Sequence, residues 1–94
     1  MERESNTVKK LSMREREVLQ LTSFGLSQKE AADRMGISHF TVDQHMKHIK
    51  EKTGMQKATE LEMVFMVNRF HIAVNQFPVF IQLKLQTALM AFSA

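Results

Sequence analysis

Ninety-four residues, 44% of them hydrophobic, with a formal net charge of +3 make one small domain's worth of chain with a mild basic bias. The absence of cysteine excludes a disulfide framework, a thiolate metal site and a catalytic thiol, and fits a reducing cytoplasm. The first ten residues are polar, carry charges of both signs and lack the apolar run of a secretory signal.

Residues 1–10 are expected to form a flexible segment. Ser12 followed three positions later by Glu15 is a capping box, and it opens a first helix over about 13–24 with Val18 and Leu21 on its apolar stripe. Gly25 stands where a helix-ending glycine belongs. Ser27 and Glu30 repeat the box for a second helix, whose Ala31 and Ala32 allow close packing, and Gly36 breaks the chain. A third helix starts after Ser38 and runs to about 53, with Val42, His45, Met46 and Ile49 spaced three or four apart, and Gly54 stops it. Two helices joined by Met35-Gly36-Ile37-Ser38 read as a helix-turn-helix. Residues 44–57 hold Lys47, Lys50, Lys52 and Lys57 against Glu51 alone, a local concentration of positive charge.

From residue 58 or 59 a fourth helix is expected to reach about 70 or 74. The composition has changed by then: 22 of the last 34 residues are apolar and Glu62 is the only acid among them. The run Met63-Val64-Phe65-Met66-Val67 leaves no wet face. Leu61, Val64 and Phe65 form one stripe, which can cover the domain core; Met63, Met66, Val67 and Phe70 form a second, which needs a partner, either another copy or the end of the same chain. That end, 71–94, is an apolar extension serving dimerisation, core cover or both. Ile81, Leu85, Ala88, Leu89 and Phe92 make a helical stripe with Pro78 at its start, although 79–86 also alternates like a strand; length and context favour helix. Gln82, Lys84 and Gln86 leave it too short and too polar to span a bilayer.

The segment from Leu11 to Leu61 resembles the LuxR/FixJ-type helix-turn-helix family. The likeness rests on Leu11, Ser12, Arg14, Glu15, Glu17, Val18 and Leu19, then Gly25, Ser27, Lys29, Glu30 and Ala32, then Ile37, Ser38, Thr41, Val42 and His45, and continues through Lys52, Gly54 and Thr59. Met13, Ala31 and Thr53 replace the family's usual proline, isoleucine and leucine. The resemblance implies an all-α fold, a four-helix LuxR-type domain over 11–70, and a sequence-specific DNA-binding transcriptional regulator acting as a homodimer through the fourth helix. With no receiver or ligand-sensing segment in the residues ahead of the motif, the expectation is one of the family's short stand-alone members or a piece of a longer regulator.

Carried onto this chain, the base-reading positions fall on Asp43, Gln44 and Lys47, exposed opposite Val42, Met46 and Ile49. Gln pairs with adenine, Lys with guanine and Asp with the cytosine amino group. Asp43 is unusual there: it is tolerable if it accepts from cytosine, pairs with a neighbour such as Lys47, or points away. Ser27, Lys29, Ser38, Thr41, His45, Lys50 and Lys57 are the expected phosphate contacts, and Met63, Met66, Val67 and Phe70 the expected dimer contacts. The partners expected are double-stranded DNA, a second copy, and RNA polymerase or another regulator, without a membrane. A competing reading keeps the scaffold but makes the apolar C-terminal segment a dock for a regulatory protein.

No catalytic role, cofactor or metal is expected. Glu15, Glu17, Glu30 and Asp33 stand in first turns, where negative charge suits the helix dipole, and no nucleophile or glycine-rich phosphate loop accompanies them. His45 and His48 are two ligands where zinc needs three or four. RNA as the main target is disfavoured by the lack of Tyr and Trp for base stacking.

Overall fold

The computed structural model describes residues 9–93. Five α-helices follow one another: α1 (Met13–Ser23), α2 (Gln28–Met35), α3 (His39–Thr53), α4 (Ala58–Phe70) and α5 (Val79–Leu89), with short 3₁₀ turns at Val74–Gln76 and Met90–Phe92. The fold is all-α, and no strand occurs among the described residues. Of the segment expected at 1–10, residues 1–8 lie outside the described part.

Local chemistry sets the helix starts. The Ser12 hydroxyl accepts from the Glu15 amide at 3.1 Å while the Glu15 carboxylate accepts from the Ser12 amide at 2.8 Å. Ser27 and Glu30 do the same at 3.0 and 2.8 Å. Each box satisfies two donors that a helix start otherwise leaves unpaired. Ser38 caps α3 by accepting from the Thr41 amide at 3.0 Å. Gly36 (φ 72°) and Gly54 (φ 75°) end α2 and α3 in the left-handed conformation, which costs a residue with a Cβ more than it costs glycine.

Leu11, Val18, Leu19, Ala32, Val42, Met46, Ile49, Met55, Leu61, Val64 and Val67 form the core of the first four helices, and Leu85, Ala88, Ala91 and Phe92 extend it. The C-terminal segment therefore covers the core of its own chain. Of the stripe expected for a helix, Leu85, Ala88, Leu89 and Phe92 meet the core while Ile81 does not, Ala91 joins them, and Pro78 is the N-cap rather than the first helical residue. The 3₁₀ turn after α5 is tied to the start of α1. The Leu11 amide donates to the Ala91 carbonyl (2.9 Å), Arg16 to that of Phe92 (2.7 Å) and Lys10 to that of Met90 (3.3 Å). The Ala91 and Phe92 carbonyls are among those that a helix terminus leaves without partners, and the Met90 carbonyl also accepts from the Ser93 amide.

The two stripes expected on α4 need correcting. Val67, assigned to the outward stripe, is only 3% exposed and lies in the core with Leu61 and Val64, and Met63 packs against that core. Buried apolar positions at 61, 64 and 67 follow the helical period once α5 supplies a second wall. Of the expected dimer contacts, Met66 is half-buried and Phe70 exposed.

Candidate nucleic-acid interface

The helix expected to read DNA is α3, the second helix of the α2–turn–α3 unit. Val42, Met46, Ile49 and Thr53 anchor its inner face. Thr53 stands where the resembled family uses leucine, yet its hydroxyl is buried at no loss: it donates to the Ile49 carbonyl (2.8 Å) and accepts from the Met55 amide (3.3 Å). With the inner face fixed, the 3.6-residue period sends 40, 43, 44 and 47 the other way. Asp43 and Lys47 are exposed and Gln44 is half-buried.

An open groove of about 400 Å³ runs along this side, lined by Gln28, Asp43, Met46, Lys47, Lys50, Glu51 and Gln56. It brings together two expected base readers, Asp43 and Lys47, and one expected phosphate contact, Lys50. Gln28, at the start of α2, was not anticipated from the sequence. Lys57 adjoins the groove through its neighbour Gln56, and Lys29 is exposed beside Gln28. Ser27, Ser38 and Thr41 are engaged in the caps, with the Ser38 and Thr41 hydroxyls 2.9 Å apart. His45 is half-buried.

The cationic cluster is thinner than the sequence suggests. Lys52 is withdrawn from it: its ammonium lies 2.8 Å from Oε1 of Glu15, a carboxylate only 4% exposed, and Nδ1 of His48 approaches Oε2 at 3.8 Å. Burial pushes the Glu15 carboxyl up, but the hydrogen bonds from Lys52 and Ser12 and the ammonium's charge outweigh it, so its pKa falls below the ordinary glutamate value. Among the described residues no carboxylate pairs with Lys29, Lys47, Lys50 or Lys57. Asp43 takes a partner the sequence reading did not name: Nε2 of His39, one turn earlier, lies 3.6 Å from its carboxylate.

Two more features escaped the sequence reading. The Glu15–Lys52 bridge joins positions 37 apart, and no local spacing announces it. Phe40 shares the stripe of Asp43, Gln44 and Lys47 and is 70% exposed; its i−3, i−4 and i−7 spacing from those residues was legible.

No group of three or more His, Asp or Glu side chains that could hold a metal ion occurs among the described residues. No helix among them is long and apolar enough to cross a membrane.

A tightly capped helix-turn-helix whose second helix turns an uncovered polar and cationic stripe to solvent defines a domain of the DNA-binding regulatory class. The chain belongs to the luxR family of bacterial regulatory proteins, whose family model matches residues 9–65. The oxygen regulatory protein NreC of Staphylococcus aureus, in strains bovine RF122 / ET3-1 and MRSA252, is 40% identical over 57 residues, which is 61% of this chain and 26% of NreC. The chain thus spans about a quarter of the length of these relatives. No solved structure gives a significant match.

Proposed function

We propose that the chain is a sequence-specific transcriptional regulator that lays α3 in the major groove of duplex DNA. Gln44 and Lys47 read base edges, while Lys29, Lys50 and Lys57, helped by Ser27, Ser38, Thr41 and His45, hold phosphates. The observation that carries this reading is the uncovered stripe of α3, directly opposite the buried Val42, Met46 and Ile49 and bordered by the groove that Lys47 and Lys50 line. Phosphate contacts set register and affinity without sequence information; the stripe supplies the discrimination. Asp43 plays a repulsive, non-reading part in this scheme, and its nearness to His39 supports that.

Selection of bound duplexes from a random pool, followed by affinity measurements on a panel of single-base-pair variants, tests the proposal. Affinity should fall with salt, with a slope of about −0.9 in log–log form per phosphate neutralised. Gln44→Ala and Lys47→Ala should each change the ranking of the panel. Lys50→Ala should weaken all members alike, and Asp43→Ala should tighten all of them. A panel ranking unchanged by both Gln44→Ala and Lys47→Ala would show that this face is not the reader.

We further propose that the working form is a homodimer, which would set two copies of α3 about 34 Å apart on an inverted repeat. Met66 and Phe70 of α4 remain available, and Val79, Phe80 and Leu83 of α5 are 82%, 87% and 74% exposed. The same α5 face favours a second reading, in which the domain docks on RNA polymerase or another regulator. Duplex binding that is absent or insensitive to salt would support that reading over the first.

A further inference from the structure

Phe40 is the second residue of α3 and 70% exposed. It is absent from the apolar residues that form or pack against the core. Single exposed phenylalanines are ordinary on protein surfaces, so exposure alone says little; position says more. Phe40, Asp43, Gln44 and Lys47 stand at i, i+3, i+4 and i+7, which is one stripe of one helix. Phe40 occupies the N-terminal end of that stripe, the part of a recognition helix that goes deepest into the groove. Its neighbours His39, Ser38 and Thr41 are polar, and the Ser38 and Thr41 hydroxyls are tied to each other at 2.9 Å.

A phenyl ring has no donor or acceptor for the polar edges of bases. The one apolar group in the major groove is the C5-methyl of thymine. We propose that Phe40 is a specificity-determining residue that reads a thymine methyl group, extending the reading stripe by one apolar contact beyond Gln44 and Lys47. The inference rests on the major-groove reading of α3 given above. It assigns to the operator a thymine at the position facing the start of α3 in each half-site, read through shape and desolvation rather than hydrogen bonding.

The test replaces each thymine of the selected duplex in turn by deoxyuridine, which removes the methyl and leaves the pairing unchanged, and measures affinity for the wild type, Phe40→Ala and Phe40→Leu. One replacement per half-site should weaken wild-type binding by about four-fold, the worth of one buried methyl-sized group. The same replacement should have no effect on Phe40→Ala and an intermediate effect on Phe40→Leu. The other thymines should respond alike in all three proteins. Far-ultraviolet circular dichroism checks that the variants keep their helices, as substitution at an exposed position should allow. If no thymine methyl matters to the wild type, or if its effect survives in Phe40→Ala, Phe40 is not the reader, while the stripe of Gln44 and Lys47 stands. If the wild type selects no duplex, the major-groove reading itself falls and this assignment with it.

Discussion

Thr53 and Glu15 show how the partners a side chain meets decide its part, partners within one turn for Thr53 and one 37 positions away for Glu15. A threonine in place of a family leucine looks like a loss of core volume, but its hydroxyl closes α3 by serving both the Ile49 carbonyl and the Met55 amide. Thr53→Val keeps the shape and removes both bonds, so it leaves the amide of the fully buried Met55 without an acceptor. We expect a loss of about 1–3 kcal/mol in urea unfolding, the cost of an unsatisfied buried polar group, with an unchanged m-value. A loss below the error of the measurement would mean that water reaches the amide. Glu15 is more than the cap its spacing announces. Once Lys52 arrives from α3, the same carboxylate that starts α1 pins the end of α3.

The helices themselves were largely legible because their signals are local. Ser12 with Glu15, Ser27 with Glu30, Ser38, Gly36 and Gly54 act within one turn of where they stand, and α1 to α3 begin and end where these residues predict. The face of α4 was not legible, since an unbroken apolar run has no polar side to orient it. Which of Met63, Val64, Phe65, Met66 and Val67 turn inward depends on what lies on either side. The start of α4 also depends on α5. Glu60 accepts from the amides of Gln56 and Lys57 and from the Lys84 ammonium at 2.9 Å, and these bonds, Lys84 first, lower its pKa to about 2. A carboxyl with a depressed folded-state pKa binds its proton more readily when unfolded. Its contribution to stability is therefore complete above the ordinary glutamate value of about 4.3 and is lost as pH falls towards 2. Lys84→Met should raise the Glu60 pKa while leaving it below the ordinary value, because both backbone donors remain. Carbon-detected NMR titration of the Glu60 carboxyl measures this, and an unchanged pKa would show that the Lys84 bond does not persist in solution.

In the whole molecule, α5 and the 3₁₀ turn after it are joined to the start of α1. Leu85, Ala88, Ala91 and Phe92 cover the core of the first four helices, and Lys10, Leu11 and Arg16 hold the carbonyls of Met90, Ala91 and Phe92. Val79, Phe80 and Leu83 face away from that contact. The two sides of α5 should respond differently. Leu85→Ala should destabilise the protomer by about 2–5 kcal/mol, as truncations in a packed core do. Phe80→Glu should leave the protomer's unfolding almost unchanged, since the side chain already meets water, and should dissociate the proposed homodimer by placing a charge in its seam. Equilibrium sedimentation beside thermal unfolding reads both. A wild type that stays monomeric at every workable concentration and on DNA would remove the dimer from the proposal.

Caps, glycine stops and the stripe of α3 could be read from the chain alone, because each depends on spacings of three or four residues that a helix converts directly into contact. So could the helix-turn-helix class, for which those spacings are the signature. The inward placement of Val67, the capture of Lys52 by Glu15 and the covering of the core by α5 could not. Each depends on a contact between positions far apart in the chain, and an apolar or charged residue carries the same local signal whether its partner comes from its own chain, from another molecule or from water.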